Sequence, residues 1–356
     1  MVVFTLLLAA LLIYILQLFL SKNAAKFIEA SVIPSLTETE PDTEFDITLR
    51  IINRSRLPLS FIKWTLNLPA AMNILSGNVY ESELSGIKSV SGTLYLLPRR
   101  TSEIKVSVSL PERGLYRIGT LTVKAGDFLG ISETAFSISG VSGIVAYPKP
   151  APLEGIEESA GSILGDISVR RYIYEDPVLI SGFREYTGNE PMKNISWLQT
   201  ARTGSMYVKK FDYTARPTVT VVMNTALPGS VNSGREALLE KTYSLTRSVC
   251  QLLEDRGIEY DFYTNAPIGG SGSSGRYISS GMGDRHFRGI LSVLGRCVYG
   301  SAFDEGRLLE DIMRNKRDTC GMIIISPYPV SLPPFGTALK TEMVVASDYI
   351  REAQKC

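Results

Sequence analysis

Apolar and polar side chains alternate with a period of two between residues 28 and 148. Residues 104–110 read Ile-Lys-Val-Ser-Val-Ser-Leu, the pattern of a strand with one buried face. Similar short runs, separated by Pro, Gly, Asn and Ser, occur over residues 45–52, 61–68, 90–97, 115–124 and 144–147. Short strands at this spacing predict an antiparallel β-sandwich over residues 28–148.

The pattern changes after about residue 215. Residues 218–223 form a continuous apolar run rich in β-branched side chains, which predicts a strand buried on both faces. An apolar stripe that ends before Gly257 predicts a helix. Further strands are expected over residues 259–264, 321–326 and 342–346, and further helices over residues 284–295 and 304–316. This alternation predicts a doubly wound α/β domain with a parallel sheet.

Residues 149–167 separate the two patterns. They are rich in Pro, Gly and Ser, which is typical of a linker. The sequence therefore predicts a multidomain chain with a sandwich, a linker and a C-terminal portion over residues 168–350.

Residues 1–20 carry no charged side chain. Twenty helical residues span about 30 Å, the thickness of a bilayer's hydrocarbon core, so this run predicts an N-terminal transmembrane helix in contact with lipid. No Lys or Arg precedes it, which favours an uncleaved anchor over a signal peptide. Lys22 and Lys26 follow it, and the positive-inside rule then predicts a single-pass cell-membrane protein with cytoplasmic soluble domains.

Charge and composition disfavour several classes of function. The 37 basic residues balance the 36 acidic ones, which disfavours a nucleic-acid partner. The four cysteines form no C-x-x-C pair and His286 is the only histidine, so neither a multi-histidine metal site nor a Ser/His/Asp triad is supported. We predict that the chain is not an enzyme and carries no cofactor.

The most distinctive segment lies between residues 183 and 211. It contains Arg184-x-Tyr186-x-Gly188-Asn189, then Lys193-x-Ile195-x-Trp197, then Ala201-Arg202. Two interpretations are open. The cations and the tryptophan could pack together as a structural clamp through cation–π contacts, or they could form a surface for a partner.

This pattern resembles the hallmark of the bacterial domain of unknown function 58 family. The matching positions are Arg184, Tyr186, Gly188, Ile195, Trp197, Ala201 and Arg202, whereas Asn189, Lys193 and Thr200 replace the family's Asp, Arg and Ser. The resemblance implies a membrane-anchored protein with a β-domain and a C-terminal domain like a von Willebrand factor type A domain. It also implies a protein partner, a MoxR-type AAA+ ATPase.

Type A domains often hold a divalent cation through a D-x-S-x-S motif after the first strand. Here Asn224, Ala226 and Pro228 stand at those three positions, and Ser326 ends the later strand where an Asp is common. Mg²⁺ sheds water reluctantly without anionic oxygen ligands. The resemblance therefore predicts a degenerate metal-ion-dependent adhesion site that holds no metal.

The function predicted from these features is a membrane-tethered, non-enzymatic scaffold or adaptor whose type A-like domain binds a protein partner. The residues expected at the partner surface are Arg184, Tyr186, Gly188, Asn189, Lys193, Trp197 and Arg202. Two alternatives stay open. One is a divalent-metal-dependent binding module built on Asn224, Thr225 and Ser326, and the other is an exported cell-envelope protein.

Overall fold

The computed structural model describes residue 4 and residues 27–56, 58–76, 78–82, 86–126, 133–138, 143–152, 176–188, 190–212, 218–228, 234–269, 276–315, 319–330 and 340–353. The chain divides into two compact units. The first comprises residues 1–149 with 294–296, and the second comprises residues 150–293 with 297–356.

The first unit consists of short strands. They are β1 Ile28–Pro34, β2 Glu38–Thr39, β3 Glu44–Asn53, β4 Leu59–Pro69, β5 Asn73–Ile74, β6 Asn78–Ser82, β7 Ile87–Leu96, β8 Thr101–Ser109, β9 Gly114–Arg117, β10 Leu121–Gly126, β11 Glu133–Ile138 and β12 Gly143–Ala146. Two antiparallel sheets have the orders β1-β3-β8-β5 and β11-β10-β4-β7-β6, and a smaller sheet has the order β2-β12-β9. Its β2–β12 pair is parallel.

The two larger sheets of this unit share one hydrophobic core. Alternate residues of β3 point inward, so that Ile47, Leu49 and Ile51 are fully buried. They belong to the same cluster as Ile62 and Leu66 of β4. Burial of one such side chain stabilises the fold by about 1.5–3 kcal/mol. The period-two pattern of the sequence thus produces a sandwich core.

The second unit combines strands and helices. Its elements are β13 Asp176–Glu185, α1 Trp197–Thr203, β14 Tyr207–Asp212, β15 Thr218–Met223, α2 Arg235–Asp255, β16 Glu259–Thr264, β17 Tyr277–Gly281, α3 Asp284–Arg296, α4 Glu305–Asn315, β18 Thr319–Ser326, β19 Lys340–Val345 and α5 Ala346–Ala353. A five-stranded sheet has the order β17-β16-β15-β18-β19, and β13 and β14 form a separate two-stranded sheet.

Helix α2 illustrates why the second unit folds as it does. The apolar residues of its predicted stripe are buried, and they are Leu238, Leu245, Val249, Leu252 and Leu253. Gly257 follows the helix at φ +61°, a conformation that glycine adopts without a Cβ penalty. The Ile258 amide then donates to the Leu253 carbonyl at 2.9 Å, which closes the helix end.

The predicted fold class is wrong. Of the described residues, 47% lie in strands and 24% in helices, so the chain is mainly β rather than a sandwich followed by a parallel doubly wound α/β domain. The sheet of the second unit is mixed, because β17 runs antiparallel to β16 at its edge while β15, β16, β18 and β19 are parallel. Residues Tyr277–Gly281 show no clear alternation of apolar and polar side chains, so the sequence predicts no strand there.

The predicted membrane anchor also needs correction. Residues 1–20 lie outside the described residues except for Phe4. No helix in the described part of the chain is long and apolar enough to cross a membrane. The described residues therefore give no support to the predicted single-pass membrane location with cytoplasmic domains. Most of the predicted linker, residues 153–167, likewise lies outside the described residues.

Candidate functional site

The segment with the distinctive motif folds as a small substructure around the β13–β14 pair. Arg184 lies opposite Val208 and Phe183 opposite Lys209 in the antiparallel register. On the other side of β14, Ile195 forms an isolated antiparallel bridge with Val208. Ile195 and Val208 are both buried, so they form the packed seam of what we call the 176–212 substructure.

Helix α1 is attached to this seam by backbone hydrogen bonds. The Ser196 amide donates to the Tyr207 carbonyl at 2.8 Å, and the Tyr207 amide donates to the Thr200 hydroxyl oxygen at 3.1 Å. Gly204 at φ +76° ends the helix. A seven-residue helix is marginal in isolation, so these contacts to β14 hold it in place.

One half of the motif forms an internal network. Arg184 makes an ion pair with the Glu190 carboxylate, which also accepts hydrogen bonds from the Thr187 hydroxyl at 2.7 Å and the Thr187 amide at 3.1 Å. The Thr187 hydroxyl, with Arg184, lowers the pKa of Glu190 to about 2. The Tyr186 hydroxyl donates to the Gly188 carbonyl at 3.3 Å. These residues shape the turn, at which Gly188 has φ +100°.

The other half of the motif is exposed. Trp197 is 60% exposed, Leu198 69% and Met192 66%. Met206, just before β14, is exposed as well. Within the described residues no cation lies over the Trp197 ring, so the structure does not show the structural clamp. We call Met192, Trp197, Leu198 and Met206 the Trp197 surface.

Exposed apolar side chains are concentrated in this substructure. Of the nineteen exposed large hydrophobic residues in the described part of the chain, six lie between residues 180 and 206: Ile180, Phe183, Met192, Trp197, Leu198 and Met206. Single exposed apolar residues need no explanation, whereas contiguous exposed apolar patches are typical of interaction sites. Tryptophan and methionine are enriched at such sites.

Cations accompany these apolar side chains. Lys193 and Arg202, both predicted site residues, are exposed on the 3-10 turn Met192–Asn194 and in the last turn of α1. Lys209 and Lys210 lie on β14. None of the four makes an ion pair within the described residues. The structure therefore brings Lys193, Trp197 and Arg202 into one substructure with Arg184, while Asn189 lies outside the described residues.

The positions of the predicted degenerate metal site lie at the carboxyl ends of two parallel strands, β15 and β18. Asn224 follows β15, Ser326 ends β18, and the Asn224 amide nitrogen Nδ2 donates to Ser326 Oγ at 3.3 Å. Asn265, which follows β16, donates through Nδ2 to Asn224 Oδ1 at 2.7 Å. The Thr225 amide donates to Asn265 Oδ1 at 2.8 Å. We call these four buried residues the strand-end cluster.

The strand-end cluster is neutral and closed. The Ala226 amide donates to Asn224 Oδ1 at 3.0 Å, and the Thr225 hydroxyl donates to the Gly300 carbonyl at 2.8 Å. Pro228 is exposed and contributes no polar atom. A divalent cation would have to displace these hydrogen bonds without gaining an anionic ligand. In the described residues there is no group of three or more His, Cys, Asp and Glu side chains placed to hold a metal.

His286 is half-buried rather than free on the surface. Its ring packs edge-on against Tyr260, with 4.9 Å between the ring centroids, and burial lowers its pKa. Burial also raises the pKa of the nearby Cys250 thiol, which disfavours the reactive thiolate. These side chains therefore pack at the junction of α2, β16 and α3, and their surroundings do not activate a nucleophile.

Sequence reasoning missed three of these residues. Glu190 pairs with Arg184, and Thr187 donates to Glu190. The spacing of six residues between Arg184 and Glu190 gives no helical or strand periodicity that would reveal them. Asn265 could have been found, because it directly follows the predicted strand 259–264. The carboxyl ends of adjacent parallel strands meet at one edge of a sheet, which places Asn265 beside Asn224.

Comparison with known proteins assigns no family. No family model matches the chain, and no curated protein matches it. A cohesin module from a Clostridium perfringens family 33 glycoside hydrolase is 12% identical, covers 34% of this chain and 98% of its own, and has a TM-score of 0.22. A cohesin from Archaeoglobus fulgidus is 12% identical, covers 32% of this chain and 92% of its own, and has a TM-score of 0.21. The GAE domain of Saccharomyces cerevisiae GGA2p is 11% identical, covers 32% and 90%, and has a TM-score of 0.22.

Similarity at this level supports no functional argument. The von Willebrand factor type A-like assignment, which came from the resemblance, is withdrawn together with the fold class, because the described residues are mainly β and the sheet of the second unit is mixed.

Proposed function

We propose that the protein is a non-enzymatic adaptor that binds a protein partner through the Trp197 surface. The observation that carries this proposal is the exposure of two consecutive large apolar residues, Trp197 and Leu198, at the start of α1. A tryptophan is among the residues that contribute most to binding when a partner covers it.

Two further features support an adaptor over a catalyst. The strand-end cluster uses its polar atoms for internal hydrogen bonds, and the sole histidine packs against Tyr260. The resemblance to the domain of unknown function 58 family suggests the partner class, a MoxR-type AAA+ ATPase. That partner is the first candidate to test.

The test is a quantitative pull-down of the full chain with a purified MoxR-type ATPase from the same genome, with and without nucleotide. The variant is Trp197→Ala/Leu198→Ala, and the control is Tyr95→Ala/Leu97→Ala, which truncates two exposed apolar residues of the first unit. We expect the Trp197 variant to bind at least about tenfold more weakly, as is usual for a hot spot, and the control to bind like the wild type.

The two ways of failing have different meanings. If the wild-type chain does not bind the ATPase, that partner is wrong. If the wild type and the Trp197 variant bind equally well, the assignment of the binding surface is wrong.

A further inference from the structure

The 176–212 substructure carries nearly as many acidic side chains as basic ones. Its five basic side chains are Arg184, Lys193, Arg202, Lys209 and Lys210, and its four acidic ones are Asp176, Glu185, Glu190 and Asp212. The local net charge is therefore five minus four, or +1, the same as that of the whole chain of 356 residues. Net charge therefore does not distinguish this substructure, whereas the pairing of its charges does.

The contacts show which of these charged side chains are paired. Glu190 is already engaged by Arg184 and Thr187, so it does not offset the other cations. Lys193, Arg202, Lys209 and Lys210 make no ion pair within the described residues. Four cations on one small substructure are thus available to an external charge.

Each of three of these cations stands next to an exposed apolar side chain. Lys193 follows Met192 in the 3-10 turn. Arg202 lies four residues after Leu198 in α1, and side chains at this spacing share a helix face. Lys209 lies opposite Phe183 in the β13–β14 register, which places the two side chains on the same face of the strand pair.

We infer that the partner segment is acidic and apolar at once: a peptide or helix face on which Glu or Asp side chains alternate with large hydrophobic ones. The apolar side chains would meet those of the Trp197 surface, and the carboxylates would pair with Lys193, Arg202, Lys209 and Lys210. Complementary charge of this kind speeds association and selects partners. This inference rests on the proposed function and names the chemistry of its partner.

The test is selection of a random dodecapeptide phage library on the immobilised full chain. Three variants are compared with the wild type: Trp197→Ala/Leu198→Ala, the charge reversal Arg202→Glu/Lys209→Glu, and the control reversal Lys63→Glu/Lys124→Glu. The control reverses two exposed lysines that face each other across β4 and β10, so it changes the net charge equally. Vesicles of phosphatidylglycerol are a separate arm.

We expect the enriched peptides to have a net negative charge and large apolar residues. Their affinity should fall about tenfold or more in the Trp197 variant and in the Arg202/Lys209 variant, should fall with added salt, and should be unchanged in the control reversal. Enriched peptides that depend on Trp197 but are neutral or basic would overturn the acidic partner and leave the proposed function standing.

Two other results are informative. If no enriched peptide depends on Trp197, the proposed function fails together with this inference. If Trp197→Ala/Leu198→Ala instead reduces binding to the anionic vesicles and selects no peptide, the surface recognises a membrane and the protein-partner inference is overturned.

Discussion

The Asn265 side chain joins the ends of two strands, β15 and β16, and the loop before α4. Its carboxamide donates to Asn224 Oδ1 and to the Phe303 carbonyl, and it accepts from the Thr225 amide. It is fully buried. A buried donor or acceptor that loses its partner costs about 1–3 kcal/mol, so this one side chain supports the loops that follow β15 and β16.

We therefore expect Asn265→Ala to lower the free energy of unfolding by about 3 kcal/mol, because it leaves Asn224 Oδ1 and the Thr225 amide with fewer partners. Urea unfolding followed by circular dichroism measures the change. Ala226→Ser, at a partly exposed position of the predicted metal motif, is the control and should change stability by less than about 0.5 kcal/mol. A loss below about 1 kcal/mol in Asn265→Ala would contradict this account of the strand-end cluster.

Asp261 is an acidic residue inside the five-stranded sheet. It is buried, one carboxylate oxygen has no hydrogen-bond partner, and burial raises its pKa from 3.8 to about 6 against a smaller opposing effect of the Thr220 hydroxyl. Between those two pKa values the folded chain binds more protons than the unfolded chain. Stability therefore rises as the pH falls through this window, and the ionised carboxylate costs stability near neutral pH.

Asp261→Asn removes that charge. At about pH 7 we expect the variant to be more stable than the wild type by about 2 kcal/mol, since one unit of pKa shift corresponds to about 1.4 kcal/mol and the new amide finds no ideal set of partners. At about pH 4 the gain should disappear, because the wild-type carboxyl is then protonated in the folded state. Melting temperatures at the two pH values measure both effects, and an equal gain at both would show that charge burial is not the cause.

At the scale of elements, the β4–β7 pair depends on a glycine. Gly92 lies opposite Trp64 in the register, and the Trp64 ring covers it. A Cβ added at residue 92 would lie 2.7 Å from Cζ2 of that ring. Trp64 is buried in the sandwich core, so the ring has little room to move. The absence of a side chain at Gly92 is thus part of how the two strands pack.

Gly92→Ala should accordingly destabilise the protein by about 1–3 kcal/mol through overpacking. Gly182→Ala is the matched control, because Gly182 also lies in a strand and a Cβ there would meet nothing within 4 Å. Urea unfolding with tryptophan fluorescence reports the difference, since Trp64 is itself the probe. Equal stability of the two variants would contradict the described packing of Trp64 on Gly92.

Elements with strong local periodicity were predictable from the sequence. The strand predicted over residues 218–223 is β15 with the same bounds, and the strand predicted over residues 45–52 lies within β3. Both have the apolar pattern that a buried strand needs, whichever elements pack against it. The sequence does not predict β17, because an edge strand with mostly exposed side chains needs no regular apolar pattern. Its antiparallel direction depends on pairing with β16 rather than on the local sequence.

The exposure of Trp197 could not be predicted in the same way. The motif indicated a tryptophan among cations, which fits either a clamp or a surface. The difference depends on which elements lie over the ring, and that is a property of the tertiary structure. The strand-end cluster was predictable in part, since Asn224 and Ser326 follow from strand order, whereas its closed hydrogen bonding depends on Asn265 and on the Gly300 carbonyl.

At the scale of the whole molecule, a fall in pH should change the free energy of unfolding through titratable groups whose effects have opposite signs. Burial lowers the pKa of His286 below its ordinary value, because the folded state disfavours the protonated, charged imidazole. The stability of the fold therefore falls as the pH drops below about 6.5. Asp261 has the opposite sign over part of the same range. Glu190, with a pKa of about 2, contributes stability above about pH 4.5 that is lost as the pH falls through about 2.

We therefore expect the melting temperature of the wild type to fall less between about pH 6.5 and pH 4 than that of Asp261→Asn, because Asp261 and His286 oppose each other in the wild type. In Asp261→Asn the His286 contribution is no longer opposed by Asp261, so the melting temperature should fall as the pH is lowered through this range. Differential scanning calorimetry at several pH values checks this. A profile that is flat in Asp261→Asn would show that His286 is not a group disfavoured in its charged form.

The central claim for the whole molecule is that the Trp197 surface meets a protein. Site-specific photo-crosslinking in the native cells tests it most directly, with p-benzoylphenylalanine in place of Leu198 in the full chain and, as the matched control, in place of Tyr95. Both positions are strongly exposed, one in each unit. The account predicts a discrete protein adduct from position 198 that is absent from position 95. No protein adduct at 198, or the same adduct at both positions, would contradict it.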